Sequence, residues 1–161
     1  MSRAGKMQPI GIAVNKVVAR VTERRLADVN HAVITVKGGG GQYRRSPCPT
    51  CPWRKDAVGI FPAEAFRLSA NTATDGSKIR EGDDTWTHTF GCHQSGAGKP
   101  QIYAGYILNG SDAIGWRIAV TRGKFDPARV QSDVPLWTSY REMAEANGVS
   151  PNDKALQVCK P

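Results

Sequence analysis

The sequence predicts an α+β protein: a small basic β element, a glycine hinge, and then a compact helix-rich module stabilised by a metal. Three observations predict it. Residues before position 37 are rich in β-branched side chains; four glycines run unbroken at 38–41; and Cys48-Pro49-Thr50-Cys51-Pro52-Trp53-Arg54 opens a stretch with repeated helix start and stop signals. The implied organisation is a basic β-rich region at 1–37, a glycine-rich linker at 38–45 and a cysteine-containing module at 46–161.

The β element comes first. Ile10, Ile12, Val14, Val17, Val18, Val21, Val33, Ile34 and Val36 read as two or three short strands joined around residues 26–31. Val17, Val21 and Leu26 come near one helical face, but strand propensity outweighs a helix over 15–29. The four glycines then permit almost any backbone path and mark a hinge; no Lys-Ser or Lys-Thr follows to make a phosphate loop.

Helices are expected beyond the cysteine pair. One opens at Pro62 and closes over 71–76; a second takes Ser111 as N-cap and Gly123 as its stop; shorter ones fall near 127–131, 138–146 and 151–158. Thr85, Trp86, Thr87 and Thr89 predict a strand over 85–90.

Charge is unevenly placed. Residues 1–55 carry eleven Lys and Arg against two acids, a net +9, whereas the remaining 106 residues carry eleven bases and twelve acids. A third this lopsided points to a polyanionic partner. Arg20, Arg24, Arg25, Lys37, Arg44, Arg45 and Arg54 are the candidate nucleic-acid contacts, with Tyr43 available for stacking. The alternative is that these arginines only solvate the exposed face of a small sheet. No apolar run approaches the ~18 residues of a membrane span, no signal peptide is visible, and the four cysteines are expected as thiols or metal ligands in a reducing cytoplasm.

Two cysteines separated by two residues can turn both sulfurs toward one ion, and this half-site needs completing. Cys92 and Cys159 complete a four-thiolate set with Cys48 and Cys51, suited to a 4Fe-4S cluster; His93 and His88 are the alternates for a zinc site. Two geometrical arguments weigh here. On a strand His88 would stand roughly 13 Å from Cys92, and adjacent Cys92 and His93 are expected to diverge rather than share an ion. Pro52 is also expected to remove a backbone donor that supports a sulfur in zinc knuckles. Cys92 beside His93 as nucleophile and base is a weak reading because sequence neighbours seldom face one another, and Gly96 to Pro100 as a phosphate loop and Glu81-Gly82-Asp83-Asp84 as a cation loop are better explained as a surface loop and a solvated turn.

At Cys48-Pro49-Thr50-Cys51-Pro52-Trp53-Arg54, with Phe61-Pro62 after it and Phe90-Gly91-Cys92-His93 downstream, the chain resembles a family of small, uncharacterised phage and bacterial proteins with a C-P-x-C-P-W-R signature and a later C-H. The resemblance covers residues 46–110. It implies a cysteine-rich metal site and a phage setting, and no particular activity. Relatives of that pattern often carry a cysteine before Ala-Gly where this chain has Tyr103, which implies a lost or relocated ligand and draws attention to Cys159 and His93. The expected function is a non-catalytic phage accessory protein of the host cytoplasm that contacts nucleic acid or a host nucleoprotein complex, without membrane attachment. The rivals are an inhibitor of a host defence or transcription complex, an iron-sulfur redox or repair enzyme, and a minor virion component.

Overall fold

The β-branched run does form strands. In the computed structural model, which describes residues 18–39, 41–110 and 112–161, β1 (Arg20–Leu26) pairs antiparallel with β2 (Ala32–Lys37), Arg25 facing Val33 and Leu26 facing Ala32. A register shift between Val21 and Glu23 marks a bulge. Asp28 shapes the connection: its Oδ1 accepts the N–H of Asn30 at 2.8 Å and of His31 at 2.7 Å, an Asx turn. The expected strand content of residues 10–17 and the Ser111 cap lie outside the described residues.

This ribbon leans on the helical body. Arg25 donates to the Leu68 carbonyl at 2.9 Å, at the end of α1 (Ala63–Ser69), and the His31 ring meets Phe61 edge-on. Val21, Leu26 and Ile34 stay exposed. Past the ribbon, Gly38, Gly39 and Gly41 all have positive φ, a backbone that non-glycine residues rarely adopt.

A second, two-residue sheet pairs β3 (Gln42–Tyr43) in parallel with β4 (Gln101–Ile102), Gln42 against Gln101 and Tyr43 against Ile102. The strand expected over 85–90 is absent: Thr85–Thr87 form a 3-10 turn. Local bonds explain the difference. Asp83 accepts the Thr85 N–H at 2.9 Å and the Thr87 hydroxyl bonds the Asp84 carbonyl at 2.8 Å, so side chains satisfy the backbone that a ladder would have used.

Helices follow the punctuation in outline. Pro62 sits at the N-cap of α1 rather than in its first turn. α2 (Ala104–Asn109) has no counterpart among the expected helices. α3 (Ile114–Thr121) is capped by Ala113 and followed by Gly123 at φ +70°. α4 (Tyr140–Ala146) starts at Ser139, whose hydroxyl accepts the Glu142 N–H at 3.1 Å while Glu142 reaches back to the Thr138 N–H, a capping-box pattern shifted by one residue. The segments near 127–131 and 151–158 are 3-10 turns, Pro127–Arg129 and Lys154–Val158, capped by Asp126 and Asp153. No helix among the described residues is long and apolar enough to cross a membrane.

The core lies between these helices and the cysteine loop. Trp53 is fully buried, with Tyr106 and Tyr140 edge-on to its ring at centroid distances of 6.3 and 6.5 Å. Phe66, Ile107, Met143 and Leu156 are buried with it. Position 105 must be glycine, because a Cβ there would overlap Cβ and Cγ of Trp53.

Candidate metal centre

The cysteine pair sits on a turn set by its own sequence. Pro49 and Pro52 fix two φ angles, and the Cys51 N–H closes on the Cys48 carbonyl at 3.0 Å. The next residues bolt this loop to the far end of the chain: Lys55 N–H bonds the Pro135 carbonyl at 3.1 Å, Trp137 N–H bonds the Trp53 carbonyl at 2.9 Å, and Arg54 bridges Leu136.

Cys92 arrives on a second loop. Gly91 bridges Ile102, Cys92 N–H bonds the Gln101 carbonyl at 2.6 Å, and Tyr103 N–H bonds the Phe90 carbonyl at 3.2 Å. The chain then turns sharply, with the N–H and hydroxyl of Ser95 both donating to the Cys92 carbonyl. That turn corrects the expectation that neighbouring side chains diverge. Cys48, Cys92 and His93 present one ligand atom each, all within 4.8 Å of one another, in an arrangement able to hold a metal ion.

His93 is held from both sides of its ring. Nδ1 lies 2.7 Å from the Tyr103 phenol oxygen, which also accepts the His93 backbone N–H at 3.1 Å. Nε2 lies 2.9 Å from the Thr50 hydroxyl and 3.3 Å from the Gln94 amide nitrogen. A Gln94 amide donating to Nε2 goes with a proton on Nδ1 given to the phenol, which leaves Nε2 unprotonated; a metal there would take the lone pair in place of that hydrogen bond. Phe61 packs edge-on against the ring at 5.0 Å.

Cys51, the other expected ligand of the pair, is fully buried nearby but lies outside this close group. Its thiol is pushed up to about 12, by burial first, with the N–H groups of Trp53 and Gly105 directed at the sulfur and opposing the shift. Trp53 therefore supplies the donor that Pro52 lacks. Burial also raises Cys92, against the Gln94 N–H and the Arg44 guanidinium, which both bond its sulfur. Burial lowers His93, and Arg44 lowers it further. Low dielectric disfavours free thiolates here, while N–H donors and one guanidinium stand ready to stabilise sulfur charge once a cation binds.

The other expected ligands sit elsewhere. The Cys159 thiol points at the Ala70 carbonyl, 3.7 Å away, and is not part of the group. Burial pushes it up to about 12 as well, with Asp112 adding to the rise. His88 pairs with Asn71 at 3.0 Å through Nδ1 and stands 3.8 Å from Asp84 through Nε2. Tyr103, read in the sequence only as the place of a missing cysteine, is instead the clamp on His93. Thr50 and Gly105 are site residues that the sequence does not announce; a threonine inside the cysteine pair and a glycine opening a helix carry no distinctive signal.

The basic residues divide. Arg20, Arg24, Lys37 and Arg45 are exposed. Arg25 is engaged with Leu68 and Glu23, Arg54 makes a two-point pair with Asp56 at 2.7 and 2.6 Å, and Tyr43 packs edge-on against Phe125. Arg44 lies half-buried at the centre beside Cys92, its Nε buried without a partner.

Neither a curated protein nor a solved structure matches the chain. A family model does, over residues 43–160, which takes in both cysteine loops, Cys159 and helices α1 to α4 and leaves the β1–β2 ribbon outside. The chain thus belongs to DUF6283, a family of unknown function.

Proposed function

We propose that residues 43–160 form a module knit by one metal ion, bound by Cys48, Cys92 and His93 with Cys51 as fourth ligand, and that the protein is a non-catalytic phage accessory factor contacting nucleic acid or a host nucleoprotein complex. The observation that carries the metal reading is the convergence of three ligand atoms within 4.8 Å from two loops far apart in sequence. This spacing suits a single tetrahedral ion such as zinc, whose ligands at ~2.0–2.3 Å must stand close together. The thiolates of a 4Fe-4S cluster each bind a different iron and stand farther apart. Ligands on loops bolted to residues 101–103 and 135–137 are those of a structural metal, which closes long loops and adds its binding energy to folding.

Elemental analysis of protein purified without air tests this reading. The expected result is one zinc per chain, lost in Cys48→Ser and Cys92→Ser and retained in Cys159→Ser, with a thiolate charge-transfer band after cobalt substitution. Several irons per chain and a reducible visible chromophore would replace the zinc reading with the iron-sulfur one. Wild-type protein that is isolated without metal and takes up neither buffered zinc nor iron with sulfide would overturn both.

A further inference from the structure

The two-residue sheet that reaches the metal loop also lines an open cleft of about 310 Å³ walled by Gly41, Gln42, Tyr43, Arg45, Gln101 and Arg129. Its chemistry is one-sided: two guanidiniums, two carboxamides and a phenol, with no carboxylate among the lining residues. Gln42 and Gln101 are register partners in the parallel pair, so they are cross-strand neighbours with both amides available to one ligand. Arg45 and Arg129 are both exposed, as is Lys124, whose Cβ would lie 3.9 Å from a Cβ placed on Gly41.

We propose that this cleft binds single-stranded nucleic acid, the arginines taking phosphate oxygens and the paired glutamines the edge of an adjoining base. Guanidiniums match phosphate in a planar two-point geometry. A carboxamide offers both donor and acceptor, which a base edge requires and a bare phosphate does not. A duplex has its Watson–Crick edges already paired and its free edges recessed in the grooves, whereas an unpaired strand exposes base edges and phosphates together to one small cleft. The volume holds about one nucleotide, at the lower limit of small-ligand sites.

The cleft is joined to the metal centre by the same strands. Gln101 gives its carbonyl to Cys92 N–H and its N–H to the Ser95 hydroxyl at 3.0 Å, while the Arg44 N–H holds the Ile102 carbonyl at 2.9 Å. This coupling rests on the metal-centre reading; the cleft itself does not. Removing the ion frees the Cys92 loop that positions Gln101.

Fluorescence anisotropy of a labelled mixed-sequence 12-nucleotide single strand, with a duplex of the same sequence, inorganic phosphate and poly-glutamate as competitors, tests the cleft. Arg45→Ala/Arg129→Ala should weaken binding by about tenfold or more and flatten the log–log salt dependence by roughly 0.7 for each phosphate that is no longer neutralised. Gln42→Ala/Gln101→Ala should lower discrimination among homopolymers at unchanged salt slope. Metal content and melting temperature equal to wild type in both variants show that the cleft, and not the centre, was altered. No binding at low salt, binding unchanged in the arginine pair, or competition by poly-glutamate or duplex as strong as by the single strand would overturn the proposal. If chelation leaves binding intact while the arginine pair abolishes it, the cleft stands and its coupling to the metal falls.

Discussion

Replacing Gly105 with alanine tests the packing beneath the metal loop. Helix propensity alone would favour the change by about 1 kcal/mol, because glycine inside a helix loses more chain entropy than alanine. The structure reverses the sign. The new methyl would occupy the space of Trp53 Cβ and Cγ, and a Cβ moves only with its backbone, here held through the Trp53 carbonyl by Trp137. Trp53 is fully buried with Tyr106 and Tyr140 against it, so no rotamer change relieves the overlap. Overpacking of this kind costs about 3 kcal/mol. The net loss is therefore about 2 kcal/mol, or roughly 4–8 °C in Tm for a chain of this size. The same shift draws the Gly105 N–H away from the Cys51 sulfur, so under the proposed zinc reading the affinity, read by competition with a chromophoric chelator, should fall as well. Gly98→Ala is the control: no atom lies within 4 Å of its added Cβ, and the change should be within about 0.5 kcal/mol of neutral. A Gly105→Ala protein that melts at or above the wild-type temperature would refute the reasoning.

Asp112 offers a test in the opposite direction. Burial raises its carboxyl, and both oxygens lack a hydrogen-bond partner; with the folded pKa above the unfolded one, its stabilising contribution is full below pH ~3.9 and lost as pH rises through the folded value. Asp112→Asn should therefore raise Tm at pH 7, by about 2–4 °C for ~1 kcal/mol of relief, with the gain vanishing near pH 3 in a calorimetric series. An equal gain at both pH values would show that ionisation is not the cause. Tyr140→Phe removes a hydroxyl that donates to the Phe66 carbonyl at 2.6 Å and pairs with Ser69 at 2.9 Å. The orphaned groups should lower stability by about 1–3 kcal/mol in urea denaturation, and an unchanged midpoint would count against that network.

What the sequence makes legible is whatever depends on neighbours along the chain. β-branched residues predict the ribbon with its connection around 26–31, and the helix expected near 138–146 coincides with α4. The cysteine pair draws attention to Cys48, which joins the close ligand group, and to Cys51, which does not. What stays hidden depends on residues far apart. The threonines at 85, 87 and 89 favour pleated structure in general, but here Asp83 and the Asp84 carbonyl take up the local hydrogen bonds first. α2 is short and contains glycine, so tertiary contact with Trp53 selects it rather than propensity. Sequence spacing ranks His93 below Cys159 because adjacent side chains ordinarily part; the tight turn to Ser95 is what brings it alongside Cys92. A cysteine count cannot show that Cys159 faces Ala70.

The ribbon of residues 20–37 lies outside the family match and meets the body at few points, among them Arg25 on the Leu68 carbonyl and His31 on Phe61. Such an attachment separates two tolerances to substitution. The matched module is constrained by loops that meet across the chain, whereas the ribbon can be rewritten where it does not touch the body. A protein built this way can acquire a new appendage by recombination ahead of residue 43 without having to rediscover its fold.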